Sequence, residues 1–193
     1  MKTRNAALGF AALLAVGCAE SKPVPVAEPA CITGPDWTCT RSGPCTVPEL
    51  KGQLCSVGIA ENITSHALGM DAAAARARVE MGAVVKTKVD GFTRTVQDSA
   101  FKMGTGEDSI QKIGSMSQTV VDETLHAVAV PKTYYNEKTR TYFALASLDA
   151  KTFVEALKGL KQAGSLSDQV KKEIDARAET VVQEWGQERD RAK

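Results

Sequence analysis

The chain has 193 residues, 24% of them charged, with 24 Lys and Arg against 23 Asp and Glu. That length suits one domain. A formal net charge of +1 without a basic excess excludes nucleic acid as a partner, since phosphate binding needs a positive face.

The N-terminus is built like an export signal. Lys2 and Arg4 supply a positive start, and Asn5 to Val16 are uncharged and mostly Ala and Leu. A bilayer-spanning helix needs roughly 20 apolar residues, so this run is too short to be a membrane anchor. It ends at Leu14-Ala15-Val16-Gly17-Cys18, which resembles the lipobox of bacterial lipoproteins, with Ala15 where Leu is commoner. The resemblance implies cleavage after residue 17 and lipidation of Cys18, and Ala19 rather than Asp after it implies sorting to the outer membrane, facing the periplasm. Without Lys2 and Arg4, 22 basic side chains face 23 acidic ones, a net charge of −1.

Residues 18–34 follow as a tether. Its Ala19–Ala30 stretch (AESKPVPVAEPA) is Pro-rich and favours extended polyproline II. The cysteines are Cys18, Cys31, Cys39, Cys45 and Cys55. With Cys18 lipidated, the other four form an even set in an oxidising compartment, which predicts two disulfides. Their spacing lacks the paired C-x₂₋₄-C hooks of structural zinc. Four cysteines allow three connectivities; the nested one, Cys39–Cys45 inside Cys31–Cys55, is preferred.

Gln53 to Glu61 alternates, with Cys55, Val57 and Ile59 on one face, and predicts a strand. A long helix follows, with Asp71 as N-cap and Ala74, Ala77, Met81, Val85, Phe92 and Val96 as its apolar stripe. Arg76, Arg78, Lys86, Lys88 and Arg94 lie off that stripe as a solvated face. Met103-Gly-Thr-Gly breaks the helix, and Glu107 to about Asp122 forms a second. Thr124–Asn136 and Thr139–Leu148 are rich in β-formers and join through Asn136-Glu137-Lys138 as an antiparallel hairpin. Pro131 there suits an edge or a bulge. Asp149 caps a helix over 150–162 with Phe153, Leu157 and Leu160 inward, Gly164 stops it, and Ser167 caps a last helix to about Arg191. Val170, Ile174, Ala178, Val181 and Trp185 form its stripe. The expected fold is α+β: a small antiparallel sheet with a long helix packed across it over 35–150, and a C-terminal helical hairpin over 151–193.

No catalytic, cofactor or metal motif emerges. Ser109-Ile-Gln-Lys112 has the S-x-x-K form of penicillin-binding enzymes, but K-T-G and S-D-N are missing. His66 and His126 lie far apart, without neighbours at ligand spacing. Gly104-Thr-Gly106 is a loop, and Asn62-Ile-Thr64 a sequon in form alone. Tyr134 and Tyr135 offer a partner-binding pair, but as strand residues they read as packed or half-buried.

Pro35-Asp36-Trp37, Val57-Gly58-Ile59-Ala60, the helix Ala73 to Glu80 and Tyr142 to Asp149, in that order, resemble the lipoprotein-20 family of small bacterial envelope lipoproteins. Similar domains open a flagellar assembly protein. The resemblance covers about 35–150 and implies a helix-on-sheet α+β domain in an outer-membrane lipoprotein with no established enzymatic activity. The cysteine-bearing insert between Trp37 and Val57 and the C-terminal helices depart from the family. The expected function is a lipid-anchored, non-enzymatic envelope module acting through unidentified envelope proteins. The alternative is an envelope hydrolase, or a peptidoglycan or small-ligand binder, whose site is dispersed in sequence.

Overall fold

The computed structural model describes residues 34–164 and 166–191. The predicted signal peptide, Cys18, Cys31 and all but the last residue of the 18–34 tether lie outside them.

Among the described residues, four helices and a four-stranded antiparallel sheet form an α+β fold. The sheet centres on β2 (Gln53–Glu61) and β4 (Thr141–Asp149), which pair along their full length from Gln53↔Asp149 to Glu61↔Thr141. β2 and β4 land close to their expected bounds, because alternation along a chain directly reports a two-faced environment. β1 (Gly43–Pro44), which the sequence reading did not anticipate, flanks β2, and β3 (Ala129–Asn136) flanks β4, giving the order β1-β2-β4-β3. Asn136 turns the β3–β4 hairpin by accepting the Lys138 and Thr139 amides on Oδ1 at 3.1 and 3.3 Å. Pro131 sits at the ladder irregularity between Ala129 and Lys132 of this edge strand, as its missing N–H demands.

α1 (His66–Lys102) crosses one sheet face. It starts five residues before the predicted cap at Asp71: Ser65 is the cap, its side chain accepting the Leu68 amide. The early turn escapes an apolar-stripe reading because its buried position is Gly69, whose α-carbon lies under the Tyr142 ring, while apolar Leu68 is exposed. The buried stripe takes Ala73 and Val89 along with most of the expected residues, while Ala74 is only half-buried. β2 and α1 approach closely because both present small residues. Ser56 Oγ donates to Ala77 O at 2.7 Å, and a Cβ on Gly58 would lie 2.1 Å from Ala73 O.

α2 (Glu107–His126) runs back along α1 and absorbs residues 124–126, which the sequence reading gave to a strand. Thr124 is β-branched, yet its hydroxyl donates to Val120 O at 2.6 Å inside the helix, and tertiary burial outweighs its β propensity. α3 (Ala150–Lys158) starts at Asp149, whose carboxylate accepts the Thr152 amide at 3.1 Å. Its predicted last turn is a 3₁₀ turn, Gly159–Gln162, and Gly164 ends it at φ +76°. α4 (Asp168–Arg191) begins after Ser167, whose hydroxyl accepts the Val170 amide at 3.3 Å, and packs back on α3 as the predicted hairpin. Phe153, Leu157, Ile174, Ala178 and Trp185 share one continuous core with α1 and the sheet.

The opposite sheet face is covered by the cystine-bearing segment. Cys45, Val47, Cys55 and Leu145 form a second small core with Trp37 and Leu50 against it. β4 is therefore buried on both faces from Thr141 to Leu148. The disulfide is Cys45–Cys55, with Cα atoms 4.9 Å apart. The nested pairing, Cys39–Cys45 inside Cys31–Cys55, is thus corrected. Register decides the matter: β1 sets Gly43 opposite Cys55 and brings the Cys45 amide to Gln53 O at 2.8 Å. Cys39 is also disulfide-bonded.

Candidate functional site

The feature with the clearest capacity to act is the uncovered edge of β2. β1 pairs only with Leu54 and Cys55, so residues 56–61 have no strand beside them on that side among the described residues. In an antiparallel ladder the N–H and C=O of alternate residues point the same way. Gln53 O points toward β1, where it accepts the Cys45 amide. Val57, Ile59 and Glu61 share its parity, so their backbone groups point out of the open edge.

A shelf of about 320 Å³ runs along this edge between Val57–Ile59 and one flank of α1. Its apolar surface is Ile59, 38% exposed, and Val79, 72% exposed, both large for side chains on a water-facing rim. Arg76 and Glu80 of α1 supply opposite charges along it. The Arg76 guanidinium donates to Ile59 O at 2.5 Å and occupies one acceptor of the edge. Natural sheets protect such edges with prolines, bulges and charges. The far edge has all three, in Pro131, the ladder irregularity and Lys132 paired with Glu49 at 3.3 Å. The β2 edge has the Arg76 contact and terminal Glu61. Chemically, the shelf can accept an extended peptide as a further strand, with main-chain hydrogen bonds for affinity and Ile59 and Val79 for side-chain contact.

The residues weighed in the sequence fall elsewhere. Ser109 and Lys112 sit one turn apart on α2, no hydrogen bond joins them, and the Lys112 alkyl chain lies against Gly164. His126 is exposed at the end of α2. His66 stands edge-on to Tyr135 and Tyr142, with ring centroids 5.3 and 5.4 Å away. Tyr135 stacks on Tyr142 at 4.4 Å, while Tyr134 projects to the other face toward Phe143 at 6.1 Å. The tyrosines therefore pack on opposite faces rather than acting as a pair. Burial pushes the Tyr142 phenol above its ordinary value, with Tyr135 adding to the effect; its hydroxyl donates to Ile63 O at 3.3 Å.

Among the described residues, no three His, Cys, Asp or Glu side chains are grouped to hold a metal, and no helix is long and apolar enough to cross a membrane. The β2 edge was invisible in sequence, because alternation marks a strand but not whether it has a neighbour. Val79 was the available signal: a large apolar residue off the stripe of α1. No family model and no curated protein matches the chain.

Proposed function

We propose that the protein is a non-enzymatic module of the bacterial cell envelope, anchored in the outer membrane through a lipid on Cys18 and facing the periplasm. It docks an extended segment of a partner envelope protein along β2. The anchor rests on the lipobox-like Leu14–Cys18 stretch, and the lipoprotein-20 resemblance of the 35–150 region agrees with it. The docking role rests on one observation, the open edge of β2, where among the described residues the edge-facing backbone of Val57, Ile59 and Glu61 has no strand beside it and only Ile59 O is taken, by Arg76, next to exposed Ile59 and Val79. A partner strand there would complete hydrogen bonds that water otherwise serves, and would cover apolar surface on both sides.

The test is crosslinking in intact envelopes with wild type and Ile59→Lys. Lysine at a surface position is compatible with folding but places a charge in the shelf. Ile59→Lys should abolish the partner band while leaving the melting curve and membrane fraction unchanged. An undiminished band would refute docking at this edge. Cys18→Ala should release the chain from membranes; a variant that stays bound would refute the anchor.

A further inference from the structure

Cys39 closes a 3₁₀ turn over Asp36–Cys39 and is disulfide-bonded. Cys45 and Cys55 are bonded to each other. The sequence holds five cysteines, so within the chain the partner of Cys39 is Cys18 or Cys31.

Local geometry favours Cys31. Pro35 O holds the turn, accepting the Thr38 amide at 2.9 Å and the Thr38 hydroxyl at 2.8 Å. The chain thereby reverses, and Gly34 comes to lie beside Thr38. A Cβ on Gly34 would be 3.1 Å from Thr38 Oγ1 and 2.9 Å from Tyr134 Cε1. Three residues lead back from Gly34 to Cys31, a span of at most about 11 Å. That reach allows the roughly 5.5 Å Cα separation that a disulfide to Cys39 needs. Cys18 is 21 positions from Cys39, against eight for Cys31, which lowers its closure probability roughly fourfold. Pro23, Pro25 and Pro29 lie between and favour an extended chain. On the anchor reading above, the Cys18 sulfur is also already spent on a thioether to lipid.

We propose that Cys31 and Cys39 form the second disulfide, a short ring that clamps the entry of the chain onto the sheet and leaves Cys18 for the lipid. The two bridges then follow one another along the chain. In forming the bond each thiol gives up a proton, and the two electrons reduce the disulfide of an envelope thiol oxidase to its dithiol. The ring includes Trp37, which packs against Cys45, Val47, Cys55 and Leu145 on the outer sheet face. Residues 36–50 hold two 3₁₀ turns and the two-residue β1. A cover with so little regular hydrogen bonding is kept in place by a crosslink at its start and another, Cys45–Cys55, at its end.

Peptide mapping of the full chain, isolated from envelopes with thiols blocked and no reductant, tests the bond. Asp-N cuts before Asp36, trypsin after Arg41 and Glu-C after Glu20, so Cys18, Cys31 and Cys39 fall on three peptides. Asp36–Arg41 should be joined to Ser21–Pro35 and released by reduction. A blocked, unlinked Asp36–Arg41, or one joined to a second copy of itself, would overturn the assignment. Because the choice of Cys31 rests in part on the lipid reading, a link to the Cys18 peptide would overturn both. A Cys31 link in a protein whose Cys18→Ala form stays membrane-bound would overturn the anchor alone. For the clamp, Cys31→Ser should let trypsin cut the native protein at exposed Arg41 at least fivefold faster. An unchanged rate there would overturn the clamping role.

Discussion

Replacing Gly58 by alanine tests the account of how α1 sits on the sheet. The added Cβ would lie 2.1 Å from Ala73 O, 2.2 Å from Ala77 N and 2.8 Å from Ala77 Cα. All three are backbone atoms of α1, so no side-chain rotation relieves the clash. Ordinary contact begins near 3.4 Å, so the helix must retreat by about 1 Å at its closest approach. That shift stretches the 2.7 Å Ser56–Ala77 hydrogen bond and loosens Ala60 and Ala73, both wholly buried. Overpacking of this kind costs about 1–3 kcal/mol, and a backbone clash belongs at or above the upper end. At roughly 2–4 °C per kcal/mol for a chain of this size, Gly58→Ala should lower Tm by about 6–12 °C. Gly91→Ala is the matched control. It lies in the same helix with nothing within 4 Å of a new Cβ, so alanine should raise stability by up to about 1 kcal/mol through helix propensity. Thermal unfolding followed by far-UV circular dichroism on the chain without residues 1–17 measures both. If Gly58→Ala melts with wild type or above it, the close crossing of α1 on β2 is refuted.

The disulfide pattern can be read directly. Trypsin cuts after Arg41 and Lys51, separating Cys39, Cys45 and Cys55 onto three peptides. Unreduced digests should show the Cys45 and Cys55 peptides joined; a Cys39–Cys45 link would refute the pairing. With a sequence separation of 10, loss of this bridge in Cys45→Ala/Cys55→Ala should cost about 2.5–3 kcal/mol in chemical denaturation. Alkaline titration provides a further check. Tyr142 holds its proton more tightly in the folded state than in the unfolded chain, so its contribution is complete below the unfolded value near 10. That contribution is lost as pH rises through the higher folded value. Absorbance at 295 nm should show a late phase that is missing in Tyr142→Phe. A wild-type titration with no late phase lost in Tyr142→Phe would contradict the buried, stacked placement of this ring.

Local chemistry carried much of the architecture in readable form. The bounds of β2, the Asn136 turn, the Asp149 and Ser167 caps and the α4 stripe all depend on residues within a few positions of one another. The early start of α1 escaped notice because its buried position is a glycine, which carries no hydrophobic signal. The end of α2 was misread because Thr124 is a β-former whose helical state is set by burial.

The candidate sites follow a different rule. Cysteine count predicted disulfides, but the Cys45–Cys55 pair exists because β1 docks on β2 in one register. The open edge of β2 depends on how short β1 is. By itself the sequence determined the presence of the four helices, the bounds of β2, the β3–β4 hairpin and the α+β class, because period and capping are local. Only the tertiary structure decided which cysteines meet and which strand edge lacks a neighbour among the described residues, since each depends on what lies beside a residue in space.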